Sequence, residues 1–290
     1  MSAWKKYLPH LCILLGGASW GMIGLFSRYL LNGGLSPRNI VLVRNMGGLL
    51  LLTVIFLLFD RSALKINWRH LPCFFGTGII SVLLFTLLYF SCQQQCSLAV
   101  AAVLLYTAPT FVVITSALLW KEPVTKKKLA ALALAFLGCA CVSGIFSGGV
   151  SVTLQGFLFG LGSGFFYAMY SIFGRYALAR YKPMTVTYYT FVFAGLGSCF
   201  VTNPMEAASL LTSNAVLIWS ALGLIAIATV LPYILYTRGL ADVESGKASI
   251  LASVEPVVAA LVGVAVFGEP MSIWVALGLG CILASVYVLR

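Results

Sequence analysis

The residues most able to do chemistry in this chain are the charged ones inside apolar runs. Glu255 stands in "LASVEPVVAALVGVAVFGEP" (251–270), just before Pro256, and Arg44 stands in "VLVRNMGG" (41–48). A charged side chain at the middle of a bilayer costs about 2.5–3.5 kcal/mol on insertion scales, so such a group faces a cavity or a partner. Desolvation disfavours the charged form of a carboxylate. Glu255 is therefore a candidate proton-coupling group, or a ligand for a cationic substrate. The plainer reading is structural. Pro256 lacks an amide donor, and a protonated Glu255 could bond the carbonyl left free, or the carboxylate could pair with Arg44. Arg44 keeps its charge and needs an acceptor or a route to water. It reads either as a carboxylate-binding group or gate, or as the partner in an internal ion pair.

The elements that must hold these residues are membrane helices. Of the 290 residues, 61% are hydrophobic and 9% are charged, with mean hydropathy +1.03. A soluble domain carries roughly 25% charged residues, so the composition excludes an ordinary soluble fold. Ten apolar runs are expected as spanning helices, near 8–30, 37–59, 70–91, 97–119, 127–147, 153–176, 184–202, 213–237, 246–267 and 272–289. The first run is too long for a signal-peptide core and reads as a retained helix. The formal charge of +11 reads as topology rather than as nucleic-acid binding. With the N-terminus in the cytoplasm, 15 of the 18 Lys and Arg fall in cytoplasmic segments, including Arg61, Lys126, Lys127, Lys128 and Arg290. Arg28 and Arg38 fall outside, and Arg44 lies within a run. Both termini are then cytoplasmic, the 120s loop is inside, and the 148–152 loop is outside. The expected location is a bacterial plasma membrane, crossed many times.

A repeat organises the chain. A shift of 147 residues puts "GGASWGMIGLFSRYLL" (16–31) on "SGFFYAMYSIFGRYAL" (163–178), with six of sixteen positions identical. The same register puts Gly76 on Gly223, Tyr89 on Tyr236, Pro109 on Pro256, Glu122 on Glu269 and Pro123 on Pro270. One register across both halves marks an internal duplication, with halves at 8–147 and 153–290. Five helices is an odd number, so the second half enters from the opposite side and the repeats are inverted. Inverted repeats suit a secondary transporter, because two halves can rock about a central site.

At this point the chain resembles a known family, the EamA type of the drug/metabolite transporter superfamily. "ASWG" (18–21), "VLVRNMGG" (41–48), "AAVLLYTAPTFVVITSALLWKEP" (101–123) and "ASILASVEPVVAALVGVAVFGEP" (248–270) carry the resemblance. It implies an all-α membrane protein of ten helices in two inverted five-helix repeats. It also implies a central cavity lined mainly by helices 1, 3, 4, 6, 8 and 9, and movement of small metabolites such as amino acids or amines, often outward.

On those helices Trp20, Tyr89, Tyr106, Tyr167, Tyr170, Tyr233 and Tyr236 become candidates for the cavity wall. Aromatic faces hold an amine by cation–π attraction or stack on an aromatic substrate. The competing reading is helix packing or anchoring at the membrane interface. Trp20 and Tyr167 are repeat equivalents and read as a symmetric pair. Pro109, Pro232 and Pro256 are candidates for gating or for shaping their helices. Glu122 and Glu269 read as turn or helix-end residues, and Gln93 reads as a loop or entrance residue.

Eight Cys without a CxxC pair, and two His, imply buried thiols with no metal and no cofactor. No paired nucleophile and base is apparent, which argues against an intramembrane enzyme. The expected partners are a small-molecule substrate, the lipid bilayer and, if Glu255 couples, protons. The alternative is an uncoupled facilitator or an importer of organic cations.

Overall fold

The computed structural model describes residues 3–59, 64–96, 98–143, 145–147 and 152–289. Arg61, Arg290 and the 148–151 connection, all used in the topology expectation, lie outside the described residues. The chain is all-helical there, apart from one isolated antiparallel bridge between Cys96 and Val152.

Among the described residues, seven helices are long and apolar enough to cross a bilayer. They are α1 (Tyr7–Asn32), α2 (Pro37–Leu58), α3 (Trp68–Gln93) and α4 (Val100–Trp120), then α6 (Leu154–Leu178), α8 (Ala215–Leu240) and α9 (Ser245–Phe267). Three shorter helices complete the series: α5 (Lys126–Val142), α7 (Pro183–Ser198) and α10 (Ile273–Val288). At 1.5 Å per residue these shorter rods measure about 24–26 Å. The expected runs 127–147 and 184–202 thus end early. After α7 the chain turns into a short helix, Pro204–Thr212, whose first turn is capped by Asn203 accepting from the Met205 amide. Apolar composition alone does not register that turn.

Helix starts are set by short polar side chains. Thr125 accepts the Lys128 amide at the start of α5, and its repeat equivalent Ser272 accepts the Val275 amide at the start of α10. Thr153 and Asn214 do the same for α6 and α8. Each cap satisfies one of the amide donors left free at a helix start.

Helix contacts obey the exchange of the two halves. α1 lies on α8, and its counterpart α6 lies on α3. α2 lies on its own counterpart α7, and α5 on α10. Close approach occurs at matched positions. A Cβ on Gly76 would fall 2.5 Å from the Phe173 ring, and one on Gly223 would fall 2.2 Å from the Phe26 ring. Both the glycines and the rings are related by the shift of 147.

The irregularities repeat as well. α3 contains a π-helical stretch at Gly76–Leu83, and α8 contains one at Ala226–Val230. These wide turns end in the same register, and Pro232 follows the second of them. α4 is broken at Tyr106–Thr107 and α9 at Ser253–Val254. Pro109 and Pro256 then sit in the first turn of the second half-helix. They do not bend continuous helices; they start new ones, where a missing amide costs nothing. Both half-helices end in a left-handed residue, Lys121 (φ 54°) and Gly268 (φ 66°). One irregularity is unmatched: α1 is interrupted at Gly21–Met22, whereas α6 runs unbroken.

Side-chain contacts sort the helix ends onto two faces. Lys128 with Glu244, Arg175 with Glu122, and His70 with Tyr181 gather at one face, the basic face. Arg28 with Glu269, Asn39 with Thr202, and Phe146 on Trp274 gather at the opposite face. Between the faces Leu58, Leu118 and Trp219 are exposed on the outside of the bundle, where lipid rather than water is the compatible solvent.

Candidate functional site

A cavity of about 480 Å³ opens between the halves. α1 contributes Trp20 and Ser27, α2 contributes Arg44, α3 contributes Phe85, Thr86, Tyr89 and Gln93, and α4 contributes Tyr106. From the second half come Tyr167, Tyr233 and Glu255. Arg28, Pro37 and Gln93 at its rim belong to helix ends of the opposite face, so the cavity opens there. Its size lies within the roughly 300–1,000 Å³ range typical of small-molecule sites.

The break in α9 places Glu255. The second half-helix begins at this residue, so its carboxyl group sits at a helix N-terminus, where the dipole favours negative charge. Gly21 of α1 lies against it: a Cβ there would fall 2.5 Å from the Glu255 carbonyl oxygen. Among the described residues, none of the side-chain hydrogen bonds or ion pairs involves Glu255. The direct Arg44–Glu255 ion pair weighed from the sequence does not form. α2 and α9 instead approach one cavity from separate sides. Arg44 is buried, and its Nε has no hydrogen-bond partner.

Rings surround the two charges. Trp20 meets Tyr167 at 6.4 Å and Tyr233 at 5.2 Å edge-on, and Tyr236 at 5.3 Å with the rings tilted. Tyr167 also packs edge-on against Phe85 at 5.1 Å. Such offset arrangements leave ring faces available to a bound cation or ring.

Below the rings the molecule is shut. Tyr170 and Tyr236 do not line the open cavity. Tyr170 OH bonds the Thr237 hydroxyl at 2.6 Å, and Tyr236 OH bonds the Ser171 hydroxyl at 2.7 Å. The gap they leave, bordered also by Pro109 and Ser249, holds only about 20 Å³. This closed gap is the repeat mate of the open cavity. Tyr170, Ser171, Tyr233 and Tyr236 stand in it where Ile23, Gly24, Thr86 and Tyr89 line the other. Pro232 and Pro256 border neither space.

The comparisons with known proteins agree with this architecture. The sequence profile of the EamA-like transporter family matches residues 8–144 and 154–290, once for each half. The chain belongs to the EamA-like transporter family. An uncharacterized transporter of Archaeoglobus fulgidus is 32% identical over 200 residues, covering 69% of this chain and 70% of its own. A second uncharacterized transporter of that organism is 29% identical over 93% of this chain and 94% of its own. The uncharacterized inner membrane transporter YicL of Salmonella typhimurium is 25% identical over 96% of this chain and 93% of its own. A solved crystal structure superposes with a TM-score of 0.79 at 17% identity, covering 97% of this chain and 95% of that one, and so shares the fold. This EamA chain is thus a multi-pass membrane transporter with a two-repeat architecture.

Sequence reasoning read Glu122 as a turn or helix-end residue and did not foresee the charged cluster it forms there. Glu122 is buried at the basic face, accepts from Arg175 and from the backbone amides of Ser245 (3.2 Å) and Gly246 (3.4 Å), and forms an ion pair with Lys128 at 3.6 Å. Lys128 also pairs with Glu244 at 2.6 Å. The signal was present: Arg28/Arg175 and Glu122/Glu269 are both matched pairs in the repeat.

Proposed function

We propose that this chain carries a small zwitterion, an amino acid or a close relative with an apolar or aromatic body, by alternating access between the two faces. The observation that carries the reading is the pair of opposite charges in one cavity: Arg44 and Glu255 share its wall without bonding each other. A substrate carboxylate on Arg44 and a substrate ammonium at Glu255 would neutralise both at once. The rings of Trp20, Tyr106 and Tyr167 supply the faces for the rest of the molecule. The open cavity and its collapsed repeat mate are the two accesses, and rocking of the halves exchanges them. In this reading the basic face is cytoplasmic, the membrane is the plasma membrane, and net movement is export.

The rings beside Glu255 favour a second reading, an organic cation without a carboxylate. Counterflow in proteoliposomes separates the two. Zwitterionic amino acids should compete with one another, while their decarboxylated amines and deaminated acids compete weakly. Competition by amines alone would replace the first reading with the second. Competition by neither class would remove both.

A further inference from the structure

Two clusters at opposite faces carry the same three residues. At the basic face Arg175, at the end of α6, meets Glu122 and lies 4.5 Å over the ring of Trp120, the last residue of α4. At the opposite face Arg28, near the end of α1, meets Glu269 at 2.7 Å and lies 4.3 Å over the Phe267 ring at the end of α9. Each member is related to its mate by the shift of 147: Arg28 to Arg175, Glu122 to Glu269, Trp120 to Phe267. Tyr29 on Phe267 and Tyr176 on Trp120 extend the match.

Their surroundings differ. The Glu122 side chain is 6% exposed, and it reaches across to the amides that begin α9. The Glu269 side chain is 52% exposed and Arg28 is 48% exposed. The buried cluster lies at the face where the central gap is shut, and the exposed one at the face where the cavity is open.

We infer that these clusters are paired latches, and that Glu122, by binding Arg175 and the start of α9 together, holds the basic face closed. The geometry gives the mechanism. A carboxylate at the helix N-terminus accepts two backbone donors and ties the end of α4 to the start of α9, while Arg175 adds the end of α6. Lys128 brings in α5 through the same carboxylate. Four helix ends are thus fastened by one side chain. Glu269 is the corresponding carboxylate of the other face. When that face closes, it becomes buried against the start of α4, and Glu122 releases α9. This inference rests on the alternating-access reading for its second half and on the observed contacts for its first.

The test uses two reporter cysteines and a bulky, membrane-impermeant maleimide on the full-length protein. Ser249→Cys reports the shut gap, and Ser27→Cys reports the open cavity. Labelling of each is read against the same protein without the reporter. Glu122→Gln should raise the Ser249→Cys rate by about tenfold or more, because removing one partner of a buried ion pair strands the others. Arg175→Gln should act in the same direction, and it serves if Glu122→Gln is not monodisperse. Glu269→Gln should leave the Ser249→Cys rate low. An unchanged Ser249→Cys rate in both Glu122→Gln and Arg175→Gln overturns the latch, as does an equal rise in Glu269→Gln. The Ser27→Cys rate addresses the other reading. A fall as Ser249→Cys rises supports exclusive opening. A fast rate at both positions leaves the latch standing and overturns alternating access.

Discussion

At the basic face, Glu122 is buried and holds Arg175, Lys128 and two backbone amides. At the opposite face, its repeat mate Glu269 is half in solvent and pairs with Arg28. The residue types and the register are shared, yet one site is a knot of four helix ends and the other a surface ion pair. The difference lies in where the two halves touch. A duplicated sequence folded into one asymmetric conformation must place its matched residues in unmatched surroundings. The central spaces differ the same way, about 480 Å³ on one side of the rings and about 20 Å³ on the other.

Unfolding in detergent should break this comparison most sharply. Glu122→Ala is expected to cost about 3–5 kcal/mol, the usual penalty for stranding the partners of a buried pair. Glu269→Ala is expected to cost about 0–1 kcal/mol, as for exposed pairs. Equal costs would mean that the two clusters have the same surroundings. Next come the charges that have no mates. Arg44 corresponds to Phe191 and Glu255 to Ala108, so neither charge has a charged counterpart in the other half. Arg44→Gln should weaken zwitterion binding by about 10- to 100-fold, from the loss of a charge-assisted contact, read by equilibrium binding. If Glu255 couples protons, Glu255→Gln should abolish the pH dependence of transport in proteoliposomes. Retained pH dependence would leave Glu255 a binding group only.

Smaller effects sharpen the symmetric side of the comparison. Gly76→Ala and Gly223→Ala each push a methyl into a phenylalanine ring, and each should cost about 1–3 kcal/mol. Similar thermal shifts would show that the two contacts are energetically alike. The caps Thr125 and Ser272 should each cost about 1 kcal/mol on replacement by Ala, and amide exchange at the starts of α5 and α10 would report it.

Much of the scaffold was legible in the sequence. Runs of apolar residues mark membrane helices because an unpaired amide in lipid is costly. The repeat showed that Gly76 and Gly223, or Pro109 and Pro256, must do corresponding jobs. The candidate site was legible in part. Glu255, Arg44, Trp20, Tyr89, Tyr106, Tyr167 and Tyr233 do line one cavity. Tyr170 and Tyr236 instead hydrogen-bond into its closed floor, since which ring faces the open space depends on how far the halves are tilted. Pro109 and Pro256 read as candidates for gating or for shaping their helices; that each starts a second half-helix was not legible, because hydropathy does not distinguish a bent helix from two half-helices.

By itself the sequence determined the class of the molecule, its duplication and the list of charges that a membrane cannot leave unattended. These follow from composition and spacing, which act locally or through a single repeated register. Tertiary structure alone decided that Arg44 and Glu255 share a cavity without pairing, and that Glu122 is buried while Glu269 is not. Those outcomes depend on the relative tilt of two similar halves. Packing energy between the halves sets that tilt, and equivalent residues in the two halves therefore meet different neighbours.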